Sequence, residues 1–250
     1  MISVITCCRH PKPQSTQEKN IAKTVSTHYE YLPIDGTSGA SLASLWNFGI
    51  SRSSGDIVVF LPEDVFFMKH NWGVVLEEKF ADPSIAGIGV AGTQYLSAET
   101  PSITAAGRPF IKGRIVYHLQ NGDFFAVVFS QERGDFEVVA CDGVFLAVRA
   151  SHLAHAWFDQ EVFDGEHFAD TDLCMQLRKC GRLIITTEIV LKKRSQVQFD
   201  SAWREYSNRF KDKWSAELPA RCVEVIPDPK QYQSSQCVNL QGKVPMETIC

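Results

Sequence analysis

Apolar runs alternate with segments of helical periodicity in the N-terminal part of the chain. Ile2 to Cys7 is a mainly apolar run closed by the polar stretch Arg9-His-Pro-Lys-Pro, which reads as a loop. Tyr29 to Ile34 is a second run, closed by Asp35-Gly36. From Ser41 onward, Leu42, Leu45, Trp46 and Ile50 recur at helical spacing until Ser53-Ser54-Gly55 stops them. A third strand, Ile57 to Leu61, runs into Pro62-Glu63-Asp64. Trp72, Val75, Leu76 and Phe80 then share a helix face, and Ile85 to Ala91 reads as another buried strand. Near-continuous apolar strands separated by helices predict an α/β fold with a mostly parallel sheet covered on both faces. Ligands of such sheets gather beyond the carboxyl ends of the strands.

The pattern then changes. Residues 108–140 read as antiparallel, with Ile115 to Leu119 and Phe124 to Phe129 flanking a Gln120-Asn-Gly-Asp123 hairpin turn. Val138 to Val148 resumes a buried strand interrupted by Asp142-Gly143. Asp170 to Lys179 predicts a helix with Leu173, Cys174 and Leu177 inward and Gly181 at its stop. Phe199, Trp203, Tyr206, Phe210 and Trp214 form an aromatic stripe on a last helix, expected to dock within the chain or against a partner. Residues 216–250 lack periodicity and are expected to form a tail or strap. No internal repeat is visible, which sets solenoids and propellers aside.

Composition narrows the class. With 44% hydrophobic and 22% charged residues the chain is an ordinary globular protein. A net charge of −4 gives no electrostatic reason to bind nucleic acid. Its longest apolar runs are too short for a transmembrane segment, and the start lacks the pattern of a signal peptide, so a cytoplasmic location is expected. Eight cysteines without a C-x-x-C pair read as reduced thiols. His152 and His155 share a spacing but lack a third ligand, so zinc is not expected.

Three acidic features fall at strand ends or helix starts. Glu63-Asp64 follows the most hydrophobic strand, where a carboxylate can hold Mg2+ or Mn2+ together with phosphate oxygens, or can cap the helix after Lys69. Asp170 and Asp172, preceded by Asp164, Glu166 and His167, suit either a helix N-terminus or a general base. Asp35 can accept hydrogen bonds from a nucleobase or ribose. The G-x-G-x-x-G spacing of a dinucleotide loop is absent.

The ordered set Ile2-Ser-Val-Ile-Thr-Cys-Cys8, Tyr31-Leu-Pro-Ile-Asp35-Gly, Ser41-Leu-Ala-x-x-Trp-Asn47-x-Gly49-Ile and Gly55-Asp-Ile-Val-Val-Phe-Leu-Pro-Glu-Asp64-Val resembles the nucleotide half of GT-A glycosyltransferases of the family 2 type. Cys141-Asp-Gly143-Val-Phe-Leu-Ala-Val-Arg149 and Phe163-Asp-Gly-Glu-His-Phe-Ala-Asp170-Thr-Asp172-Leu-Cys continue the likeness, with the StrF-like subgroup nearest. The resemblance implies one Rossmann-like GT-A domain over residues 1–215, with a nucleotide-binding half (1–95) and an acceptor and catalytic half (96–215). It implies Thr6, Cys7 and Cys8 around uracil and ribose, Asp35 on the base and Asn47 near it. Asp64 would bind Mn2+ or Mg2+ with Glu63 alongside, and Asp142-Gly143 would lie under the donor sugar. Asp170 would be the base that deprotonates an acceptor, whether a sugar, a lipid or a small molecule.

Two departures stand out. Where members of the subgroup often have a metal-binding His, this chain reads Val190-Leu-Lys-Lys-Arg-Ser195, so Lys193 or Arg194 would meet the diphosphate directly. The second aspartate of a D-x-D motif is also missing. The expected activity is a UDP-sugar-dependent, metal-assisted, inverting transfer; the alternative is a UDP-binding protein with little turnover.

Overall fold

The structure is a computed structural model that describes residues 1–9, 11–118, 124–194 and 201–224. The first elements are β1 (Ile2–Cys8), α1 (Pro11–Thr24), β2 (Tyr29–Asp35), α2 (Leu42–Arg52), β3 (Ile57–Phe60), β4 (Val65–Phe67), α3 (Trp72–Phe80) and β5 (Ile85–Gly89). Short strands follow: β6 (Ala91–Thr93), β7 (Tyr95–Leu96), β8 (Ile111–His118), β9 (Phe124–Val128), β10 (Asp135–Val138), β11 (Ala140–Cys141) and β12 (Leu146–Arg149). The chain continues through a 3-10 turn (Ala150–Ala154), α4 (Ala169–Leu177), β13 (Arg182–Thr186), β14 (Leu191–Lys193), α5 (Ser201–Lys213) and β15 (Ala220–Arg221).

The main sheet has the order β10-β13-β5-β12-β3-β1-β2. β2, β1 and β3 pair in parallel, as do β5 and β13, while β12 runs antiparallel to both β3 and β5 and β10 antiparallel to β13. Five of the seven strands therefore point the same way, and the α/β expectation holds with a mixed sheet. β12, from the expected second half, lies between two strands of the first. A second sheet, β11-β6-β8-β14-β4 with β9 on β8, brings β14 antiparallel to β4. The antiparallel β8–β9 pair matches the hairpin expectation, while its turn at residues 120–123 lies outside the described residues.

Alternation along each strand feeds two cores, one per sheet face. Ile2 and Val4 of β1 pack with α1 and α3 residues, whereas Ile5 and Cys7 pack with Leu45 and Trp46 of α2. Fully burying one such side chain contributes about 2 kcal/mol. α2 begins as its sequence suggests, with Ser41 Oγ accepting from the Ser44 N–H at 3.1 Å.

Two expectations are corrected. The stretch from Pro11 is not a loop but the start of α1. Gln17 on α1 is fully buried, donating to the carbonyls of Pro62 (2.6 Å) and Val65 (2.9 Å), and the Asn20 amide clasps Phe67 from both sides. The capping alternative for Asp64 also fails, because β4 separates it from α3, whose N-cap is Asn71.

The aromatic stripe docks within the chain. Phe210 and Trp214 are buried, with Phe210 against Phe163 and Phe168 and Trp203 against Phe168; Phe199 lies outside the described residues. β15 pairs with β7 at residues 220–221, and the rest of the expected tail or strap, residues 225–250, lies outside the described part. Among the described residues no helix is long and apolar enough to cross a membrane.

Candidate active site

The carboxyl ends of β1, β2 and β3 supply one wall of the site. Thr6 is fully buried, with its hydroxyl beside the Tyr31 phenol, and Cys7 and Cys8 are buried at the end of β1. Burial, reinforced by neighbouring negative groups that include Glu63, raises both thiols, Cys8 to about 11, so neither is a thiolate at neutral pH. Asp35 is exposed at the end of β2. Its Oδ1 accepts from the Thr37 hydroxyl (2.7 Å) and N–H (2.9 Å), which lowers its pKa.

Asn47 does not face this wall as a free recognition group. Its Nδ2 donates to the Phe158 carbonyl at 2.7 Å and its Oδ1 accepts the Phe158 N–H at 3.2 Å. Both ends of the amide thus tether Phe158.

Glu63 and Asp64 leave β3 half-buried. Glu63 Oε2 accepts the Arg9 backbone N–H at 3.1 Å, while the Arg9 guanidinium pairs with Glu166. One residue after β1 therefore joins the acidic pair after β3 to the loop before α4. On the other side of Asp64 lies β14, with Lys193 opposite Val65 and the Arg194 N–H donating to the Asp64 carbonyl at 3.2 Å. The Arg194 guanidinium stacks over Phe66, 4.6 Å from the ring centroid. Lys193 and Arg194 thus border the Asp64 loop.

Asp142 and Gly143 form the turn between β11 and β12, with the Val144 N–H on Asp142 Oδ1 at 2.9 Å. A Cβ on Gly143 would lie 2.5 Å from Asp170 Oδ2, so the absence of a side chain there lets α4 bring its carboxylate against this turn. Asp170 also accepts the Thr171 N–H at 2.8 Å, and the Gly143 N–H lies beside its carboxylate. Desolvation raises its pKa first and the Asp142 charge second, against these backbone donors.

Asp172, two residues on, has a different task. It is fully buried, and its carboxylate accepts Trp214 Nε1 (2.7 Å), Lys213 Nζ (2.8 Å) and Gln176 Nε2 (2.8 Å). Asp164 accepts the Tyr206 hydroxyl (2.8 Å) and Arg209 (2.7 Å). Both carboxylates fasten α5 to the domain, leaving Asp170 as the one of the acidic cluster directed at Asp142-Gly143.

Comparison with known proteins fits this architecture. Residues 3–214 match the family described as "Glycosyltransferase like family". The chain belongs to that family. No curated protein sequence matches it.

Solved structures share the fold of this glycosyltransferase-like chain at low identity. It is similar to GalNAc-T7 crystallised with UDP, GalNAc and Mn2+ (TM-score 0.58, 10% identity, 84% of this chain and 47% of that one). It is similar to the mannosyltransferase PcManGT of Pyrobaculum calidifontis with GDP-Man and Mn2+ (0.56, 11%, 93% and 67%). TarS 1-349 of S. aureus with UDP-GlcNAc is a third (0.53, 13%, 89% and 68%). The chain spans about half the length of the GalNAc-T7 chain.

Arg9 is the site residue that sequence reasoning passed over, because an arginine in a polar stretch carries no local signal. Its partners are 54 and 157 residues away.

Proposed function

We propose that this chain is a UDP-sugar-dependent, inverting glycosyltransferase with Asp170 as general base. The observation that carries the proposal is the close approach of Gly143 to Asp170 beside Asp142, on the same side as the Arg9-linked loops after β1 and β3. Such a base takes the acceptor hydroxyl proton while that oxygen bonds to the anomeric carbon, and the diphosphate leaves from the opposite face. Its raised pKa brings it nearer the working pH, where proton transfer is more favourable.

The loops after β1 and β2, with Thr6, Cys7, Cys8 and Asp35, border the nucleoside in this reading, and Asp142-Gly143 underlies the sugar. Lys193 and Arg194 supply positive charge to the diphosphate. The fit of a metal rests on donor chemistry. Asp64 and Glu63 offer oxygen ligands suited to Mn2+ or Mg2+. Among the described residues no three His, Cys, Asp or Glu converge as a protein cage, so the ion would share its shell with phosphate oxygens and water. Such an ion neutralises charge on the leaving diphosphate.

UDP is preferred as the nucleotide because two of the three structural relatives were solved with UDP or a UDP-sugar, and two with Mn2+. The finer resemblances, to the StrF-like subgroup and of the whole chain to majastridin, belong to the same proposal. The six cysteines among the described residues are free thiols, which suits a reducing compartment such as the cytoplasm. The Lys193-Arg194 pair in place of a His favours a second reading, a UDP-binding protein with little turnover.

Calorimetry with UDP, GDP and CDP, with and without Mn2+, tests the site. UDP binding that is absent, or unchanged in Asp64→Ala with metal present, refutes it. Release of UDP from a panel of UDP-sugars, lost in Asp170→Asn, supports the enzyme; no release with any donor and acceptor favours the binder.

A further inference from the structure

Arg9 touches three parts of the site at once. Its backbone N–H holds Glu63, its side-chain stem lies where a Cβ on Gly36 would come within 3.0 Å of Cγ, and its guanidinium reaches Glu166. The side chain therefore crosses from the end of β1, over the turn after Asp35, to the loop that leads into α4. Both pair members are open to solvent, Arg9 at 40% and Glu166 at 59%. An ion pair this exposed contributes little and breaks readily. A guanidinium binds a phosphate group through charge-assisted, often bidentate, hydrogen bonds that are stronger than a solvated pair.

We infer that Arg9 is a positioning residue that exchanges Glu166 for the diphosphate when the donor binds, releasing residues 165–167 to admit the acceptor beside Asp170. This deepens the nucleotide reading of the site and rests on it. Without donor, Arg9 ties that loop to the nucleotide wall. With donor, the guanidinium turns to the phosphates, Glu166 becomes free, and the acceptor side opens only after the nucleotide side is filled. Asp164 stays fastened to Tyr206 and Arg209 and Phe168 stays buried against Trp203 and Phe210, so only residues 165–167 between these two anchors move.

Titration of UDP with Mn2+ into wild type, R9Q, R9K, E166Q and R9Q/E166Q tests the exchange. Removing the competitor in E166Q is expected to tighten UDP binding by about twofold to fivefold. R9Q weakens binding by about tenfold and R9K recovers part of it. In the R9Q background E166Q has no effect. Amide hydrogen exchange across residues 165–167 supplies a second readout: UDP raises it in wild type, while in R9Q it is already raised and does not respond. Thermal unfolding checks that each variant is folded. An E166Q affinity equal to wild type, a gain from E166Q that persists without Arg9, or a loop that ignores UDP in wild type overturns the exchange. UDP binding by wild type with R9Q unaffected overturns the exchange alone. Absence of nucleotide binding by wild type overturns the reading of the site and the exchange with it.

Discussion

The position of a Cβ on Gly143 lies 2.5 Å from Oδ2 of Asp170, inside any allowed contact, so the turn and the carboxylate occupy mutually fitted space. Gly143→Ala is therefore expected to push Asp170 away from the sugar position. A displacement of this kind costs about 10²-fold in turnover. UDP affinity should change little, because the nucleotide wall is built from other loops. Rates of UDP-sugar turnover beside calorimetry check this, and equal losses in both would count against it.

Asp142 contributes to the raised pKa of Asp170, second to desolvation. As the proposed base, Asp170 must be ionised, so activity is expected to fall as pH drops through that raised value, above the ordinary carboxylate range. Asp142→Asn removes the second cause only. The acid limb of the kcat/KM profile should move partway down in pH, whatever happens to the height of the curve. An unmoved limb would separate Asp142 from the titration.

Asp172 and Asp164 both hold α5, but at different burial. Asp172→Ala leaves the Lys213 ammonium and the Trp214 indole without their buried acceptor and should cost about 3 kcal/mol. Asp164→Ala removes partners that face water and should cost no more than about 1 kcal/mol. Urea denaturation curves of the two variants give the comparison directly.

Arg194 stacks on Phe66 and is anchored by its backbone to Asp64. Arg194→Gln should weaken UDP binding by about fivefold and flatten its salt dependence. Arg194→Lys should restore charge but only part of the affinity, because an ammonium lacks the planar face that stacks on the ring. Titrations at two salt concentrations distinguish the cases.

Strands and apolar-faced helices were legible because their burial is written in side chains: the run ending at Cys7, the Leu45-Trp46 face and the aromatic stripe through Phe210 all appear where expected. α1 was not legible, since its buried face, among the described side chains, consists of Gln17, Ile21 and Thr24. Two of these are polar and acceptable inside only through distant hydrogen-bond partners. Asp170 and Asp172 stood out together, but their division of labour depends on Trp214 and Lys213, more than 40 residues away. The tether from Asn47 to Phe158 is equally non-local, and no local pattern announces it.

The antiparallel β12 strand between β3 and β5 carries a consequence for synthesis. Those two strands do not bond to each other, and residues 146–149 are the shared partner of both. A ribosome that has released only the first 95 residues has produced two strand edges that wait for a segment still to be made. The nucleotide wall and the Asp142-Gly143 turn therefore become rigid in one late step, and a truncated first half is expected to behave as an aggregation-prone fragment rather than a small nucleotide-binding module.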